Sequence, residues 1–327
     1  MYSYDDGGTS CHVVFQPNRL AMILPCLRWL GHSDSADRKH SQGWAHPIVA
    51  CLLHYFVVIP STILAHDVML GRLHSGRMNE RALDTVCAKD GNPTKRAMFI
   101  SNFFAWYAAS LLLWRLVTIR AKLGPMHQRG VLYEYTWLCN STLVMVSIGL
   151  RTCRPALATS FCVAVSIDQL LWWVDLAGWT MSGFATFPIG VSKYLTWPNT
   201  SFATRITATH HLWTIPLTLY AIGGRLHWES YLLSVYVVTS HVLLSRWLTP
   251  FTIRGLCKNT DDGDTNHCED KYLNVNLSHE VWKDINFGFV QIKRDNPSTG
   301  KYLFRLLLRW NLFNCATFAF LYGVCYY

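Results

Sequence analysis

VLYEYTWLCNSTLVMVSIGL (residues 131–150), RTCR (151–154) and PALATSFCVAVSIDQLLWWVDL (155–176) read as two apolar stretches joined by a tight basic turn. The stretches Val131–Leu150 and Ala156–Leu176 each approach the roughly 20 residues that a helix needs to cross a hydrocarbon core of about 30 Å. Five similar stretches flank this pair. Trp44–Leu70, with Pro60 as an expected kink, and Ala97–Val117 precede it. A stretch from Ile206 to Gly223, another from Ser230 to Leu248, and a last one from Tyr302 onward follow it. The pattern predicts an all-α fold, a polytopic transmembrane helix bundle of about six to seven spans.

Composition agrees. Of the 327 residues, 51% are hydrophobic and only 15% are charged, against about 25% charged in ordinary soluble domains. The net charge of +9 is carried by Lys and Arg beside apolar stretches. That placement fits anionic lipid headgroups and does not make the basic aromatic stripe of a nucleic-acid binder. Membrane lipids are therefore the expected partners, and nucleic acid is not. The expected location is an integral, multi-pass one in an endomembrane such as the endoplasmic reticulum.

Two regions are expected. Residues 1–43 form a polar N-terminal segment in which Leu20–Leu30 reads as an interfacial amphipathic helix. Residues 44–327 form the helical domain, with a polar insert at about 249–301 that carries the acidic run DDGD (261–264). Residues 71–96 read as a solvated loop, and residues 177–205 as an ordered interfacial loop. The bias of Lys and Arg places the N-terminus in the cytosol. The sequons at Asn199 and Asn276 then fall on the cytosolic side, where glycosylation cannot reach them. Of eleven cysteines, only Cys257 and Cys268 share a polar loop and are expected to be able to pair. The others read as apolar packing residues.

Ionisable groups inside hydrocarbon are costly and tend to face one another or a functional cavity. Span three carries Glu134, Thr136, Cys139 and Asn140, and span four carries Asp168 and Asp175. These aspartates are seven residues apart and share a helix face with Trp172 between them. Span five carries His210 and His211, and span six Ser240 and His241. Asn274 and Asn276 follow in YLNVNLSHE. Together they predict one polar cavity within spans three to six; the rival reading is a network of hydrogen-bonded packing residues.

Three chemistries suit this set. In the first, Cys139 is a nucleophile, His210 or His211 its base, Asp168 orients the imidazole, and Asn140 donates to an oxyanion. Asp175, His241, Ser240, Asn274, Asn276 and Trp172 support the site. In the second, His210 or His211, His241 and an aspartate hold Zn²⁺; no HExxH or CxxC spacing backs this, so no metal and no cofactor are expected. In the third, the buried acids and histidines relay protons in a transporter. Against it, no inverted repeat and no matched pair of Gly/Pro-broken helices is visible.

The order of these motifs resembles a superfamily of small multi-spanning proteins. It contains androgen-induced-type fatty acid ester hydrolases, cysteine-dependent transmembrane phospholipid acyltransferases and YwaF-like proteins. WLCNS, with Cys139, stands where the acyltransferase branch carries its cysteine. THHLWTIP supplies a histidine ahead of Pro216, and VVTSHVLLSRW and YLNVNL resemble the later segments. The likeness covers roughly residues 131–280. The resemblance implies a membrane-embedded lipid hydrolase or acyltransferase with a lipid or fatty-acyl substrate, with Cys139 as nucleophile and His210 or His211 as base. The alternatives are a proton-coupled transporter and a non-catalytic subunit of a membrane complex.

Overall fold

A computed structural model describes residues 45–73, 85–123, 125–198, 200–257, 268–281, 292 and 299–326. The expected helix at 20–30, the acidic run at 261–264 and Asn199 lie outside the described residues. The described chain is mostly helical, in the order α1 (Pro47–Leu73), α2 (Lys95–Leu123), α3 (Pro125–Glu134), α4 (Leu138–Arg151), α5 (Pro155–Ala164) and α6 (Ser166–Met181). There follow α7 (Phe202–Ala208), α8 (His210–Ala221) and α9 (Trp228–Leu248), the antiparallel strands β1 (Thr252–Cys257) and β2 (Cys268–Tyr272), and α10 (Thr299–Tyr326). Proline opens α1, α3 and α5, where its missing N–H costs nothing.

Among the described residues two helices, Pro47–Met69 and Lys95–Thr118, are long and apolar enough to cross a membrane. The pair α5 and α6, bent by 51° at Val165, makes a third if it is one span. The outer faces are apolar in the helical rhythm: Leu52 and Phe56 on α1, Phe99, Trp106 and Leu113 on α2, and Phe304, Leu308 and Leu312 on α10 are all exposed. The inside is unusually polar, with His54, Asn140, Asp175, Gln169 and His241 buried. Large apolar side chains in such stripes are the mark of a surface that meets a membrane or another protein.

The central element is α5, whose residues from Ala156 to Ala164 are all buried. It packs against α4 and α9, and α4 packs in turn against α2. The α4–α5 hairpin is tight at Gly149. A Cβ there would stand 2.7 Å from the backbone nitrogen of Ala158, so only glycine lets the helices approach this closely.

Spans three, four and five, expected as continuous helices, are each interrupted. Neither glycine nor proline stands at any of the breaks; side-chain hydrogen bonds hold them, from remote positions at the first two and from adjacent residues at the third. A broken helix frees carbonyls that an apolar interior cannot satisfy, and here side chains take them. At the α3–α4 break, the Tyr55 hydroxyl donates to the Tyr135 carbonyl (3.0 Å) and Asn276 Nδ2 to the Thr136 carbonyl (3.1 Å). At the α5–α6 bend, Trp310 Nε1 and Asn314 Nδ2 both donate to the Ala164 carbonyl, at 3.1 and 3.2 Å. At the α7–α8 break the donors are histidines, described below.

Several connections share one end of the bundle. Cys87, ahead of α2, is disulfide-bonded to Cys153 in the α4–α5 turn. The Thr85 hydroxyl donates to the Ile222 carbonyl beyond α8 (3.1 Å). Arg154 clamps Asp67 of α1 through two bonds of 3.1 Å. The expectation that only Cys257 and Cys268 could pair is thus corrected: two cysteines 66 residues apart meet instead. Cys257 and Cys268 do face each other across the β1–β2 register. The stretch expected as a solvated loop also buries Val86 and Cys87.

At the other end, Tyr133 donates to the Ala45 carbonyl, and the later part of the insert folds inward. A 3₁₀ turn, Val275–Leu277, is buried. Asn276, 1% exposed, is inside the protein, so its sequon cannot accept a glycan in this fold.

Candidate active site

The interruptions at α3–α4 and α7–α8 meet. Cys139 occupies the first turn of α4, and His210 and His211 open α8. The Cys139 sulfur and one nitrogen from each histidine lie within 4.8 Å of one another. Cys139 is half-buried, whereas His210 and His211 are buried.

The doubled histidine has a local cause. Ending α7 at Ala208 frees its last carbonyls. His210 Nδ1 lies 2.6 Å from the Thr207 carbonyl and His211 Nδ1 lies 2.8 Å from that of Ala208. A carbonyl only accepts, so both Nδ1 atoms carry the proton and both Nε2 atoms present a lone pair. The Tyr107 hydroxyl reinforces the same break, donating to the Thr207 carbonyl at 3.1 Å.

His211 is the better placed of the two to act on Cys139. One of its ring nitrogens lies within 4.8 Å of the Cys139 sulfur, and its Nε2 lies 3.4 Å from Asp168 Oδ2. Trp172 stacks on its ring, with centroids 5.3 Å apart and 21° between planes. Trp173 Nε1 donates to its carbonyl at 2.8 Å. The Ala208 carbonyl and the Trp172 ring therefore orient this imidazole. Asp168 sits on the Nε2 side of the ring, where it can pair with the imidazolium formed when that nitrogen takes a proton.

Cys139 is held from the opposite side by Asn276. Its Oδ1 accepts from the Leu138 amide (2.7 Å), and its Nδ2 donates to Ser245 Oγ (2.7 Å) as well as to Thr136. The start of α4, and so the cysteine, is fixed to α9 through one side chain of the insert. The first-turn amides of Cys139 and Asn140 have no acceptor within the helix and add positive potential beside the sulfur. Asn140 Nδ2 donates to the Glu134 carbonyl at 2.9 Å, so its side chain serves the break. The amides of that turn are better placed for an oxyanion.

The other expected residues have separate places. Asp175 is buried and accepts from the amides of Ile189 (2.7 Å), Gly190 (3.0 Å) and Ser192 (2.9 Å), which pins the loop after α6. His241 joins His54 of α1, with ring centroids 4.8 Å apart; it is not grouped with His210 and His211. Ser240 donates to the Val237 carbonyl. Asn274 braces its own turn, with Oδ1 accepting from the His279 amide at 3.0 Å and Nδ2 donating to the Glu280 carbonyl at 2.6 Å.

Two contributors escaped the sequence reading. Tyr194, in the 3₁₀ turn Lys193–Thr196, lies near His211, Cys139 and Asp168; burial pushes its phenol up, so it stays a neutral donor. Arg115 of α2 forms an ion pair with Glu134 at the end of α3. Tyr194 sits in an aromatic loop segment (KYLTWP), the sole signal that might have marked it.

The molecule is therefore a helical protein with a cysteine, two histidines and an aspartate at the junction of broken helices. Comparison with protein-family models, with curated proteins and with solved structures finds no match.

Proposed function

We propose that the chain is a multi-pass membrane protein that hydrolyses or transfers the acyl groups of lipids, with Cys139 as nucleophile and His211 as base. The observation that carries this reading is the imidazole of His211, its Nδ1 spent on a carbonyl and its Nε2 beside Asp168, within 4.8 Å of a helix-N-terminal thiol.

The chemistry follows from those positions. His211 Nε2 takes the thiol proton, and the sulfur attacks an ester carbonyl. The tetrahedral oxyanion is met by first-turn amides of α4. Collapse expels the lipid alcohol, which receives the proton from His211, and leaves an acyl-thioester on Cys139. Water or a second hydroxyl then attacks the thioester, with His211 again as base. Asp168 stabilises the imidazolium in both halves.

Seven crossings organise the bundle: α1, α2, α3–α4, α5–α6, α7–α8, α9 and α10. The Cys87–Cys153 disulfide marks its end of the bundle as facing an oxidising compartment, such as the lumen of the endoplasmic reticulum. The N-terminus and the insert then face the cytosol, in accord with the basic-residue bias. At 1.5 Å per residue, Cys139 and His210 lie about 17–18 Å from the disulfide end. That is beyond the middle of a core about 30 Å thick. A lipid ester entering from the cytosolic half reaches the sulfur with its chain still in hydrocarbon.

The test is labelling of the purified protein with an alkyne-bearing long-chain acyl ester. Cys139→Ala is expected to abolish labelling, and His211→Ala to slow it about 100-fold or more, as loss of a general base does. Parent-like labelling of both variants would refute the mechanism. The interrupted helices favour a second reading, a transporter, because half-helix ends commonly bind cargo at mid-membrane. Proton-coupled uptake into liposomes that persists in Cys139→Ala and fails in Asp168→Asn would select it.

A further inference from the structure

We propose that Cys139, His210 and His211 form a binding site for one Zn²⁺ ion, and that the bound ion withholds the Cys139 sulfur from acyl chemistry.

His210 carries the argument. The acyl mechanism uses His211 alone and leaves His210 without a task beyond the Thr207 carbonyl. Its Nε2 is buried, presents a lone pair, and has no hydrogen-bond partner. An orphaned buried acceptor is unfavourable, and a cation satisfies it. Both histidines donate their other ring N–H to a main-chain carbonyl, which is the outer shell that orients metal-bound imidazoles.

The donor set selects the ion. One thiolate and two imidazoles suit zinc, and hard Mg²⁺ or Ca²⁺ would demand oxygens. The ligand atoms fall within 4.8 Å of one another, and tetrahedral zinc bonds of about 2.0–2.3 Å place ligands roughly 3.3–3.8 Å apart. Small side-chain rotations are needed to reach that spacing. A water would fill the fourth position, and Asp168 Oδ2, 3.4 Å from His211 Nε2, is near enough to accept a hydrogen bond from it. On binding, the Cys139 thiol loses its proton to solvent and forms the S–Zn bond, while each Nε2 gives its lone pair. Nucleophile and base are then both engaged. This consequence rests on the proposed function; the binding itself does not.

The experiment uses full-length, chelator-stripped protein in detergent, with Co²⁺ as the spectroscopic probe and Zn²⁺ as its competitor. The parent is expected to bind one Co²⁺ with a thiolate-to-metal band in the near ultraviolet, displaced by Zn²⁺. Cys139→Ser loses the band. His210→Gln, whose amide can still donate to the Thr207 carbonyl, binds at least about a hundredfold more weakly, since even outer-shell partners are worth about 10–100-fold. Retention of the Cys87–Cys153 linkage and a monodisperse elution profile report that each variant is folded. A parent without the thiolate band, a band that survives in Cys139→Ser, or parent-like affinity in His210→Gln would overturn the site. Zinc at full occupancy is expected to suppress acyl labelling of Cys139, reversibly with chelator; undiminished labelling would overturn the withholding. An intact cobalt site on a chain whose metal-free Cys139 never takes an acyl group would sink the acyl chemistry and leave the metal site standing.

Discussion

Asn276→Ala is expected to damage the site from the far side of the cysteine. The substitution removes the acceptor of the Leu138 amide and the donor to the Thr136 carbonyl and Ser245 Oγ. Asn276 is 1% exposed, so water does not replace it readily. Three buried groups are orphaned at roughly 1–3 kcal/mol each; partial relaxation brings the loss to about 3–5 kcal/mol. That is a large share of the 5–15 kcal/mol that holds a folded chain together. In a larger chain each kcal/mol moves the midpoint by about 2–4 °C, so Tm is expected to fall by roughly 6–20 °C. The second readout is acyl labelling of Cys139 well below that Tm. An untethered α4 start lets the sulfur drift from His211, and a misplacement of about 1 Å costs on the order of a hundredfold. A variant that melts and labels like the parent would refute the claim that the insert sets the cysteine in place.

Gly149→Ala drives a methyl into the α5 backbone at Ala158; overpacking of this kind costs about 1–3 kcal/mol, read as a lower Tm. Asp175→Asn retains one acceptor oxygen where two served the amides of Ile189, Gly190 and Ser192, and is expected to expose the 182–196 loop to limited proteolysis while the rest of the chain resists. Cys87→Ser releases Cys153; removal of such a bond costs about 2–4 kcal/mol. A sequon placed in the 71–96 loop is expected to be glycosylated in microsomes, and one placed in the 258–267 segment to stay bare. The reverse pattern would invert the topology.

The apolar rhythm around RTCR was enough to predict the α4–α5 hairpin and the helical class. The runs YEYTWLCNST and THHLW marked the residues that meet. The α3–α4 and α5–α6 breaks were not visible in the local sequence, whereas the α7–α8 break is held by its own neighbours His210 and His211. Tyr55, Trp310, Asn314 and Asn276 satisfy the freed carbonyls from positions remote in sequence. For the same reason Asn276 read as one supporting residue among several, while the fold makes it the tether of the nucleophile. His241 was grouped with His210 and His211 because all lie in consecutive apolar stretches; helix phase turns it toward His54 instead. Cys87 and Cys153 carried no spacing signal, being brought together by the α2–α4 packing.

The most direct measurement is peptide mass spectrometry of the protein after brief incubation with a long-chain lipid ester. The account predicts an acyl adduct on the Cys139 peptide that hydroxylamine removes, as it does a thioester, and that forms about 100-fold more slowly in His211→Ala. Turnover of the ester with Cys139 unmodified, or an adduct forming at the parent rate without His211, would contradict it.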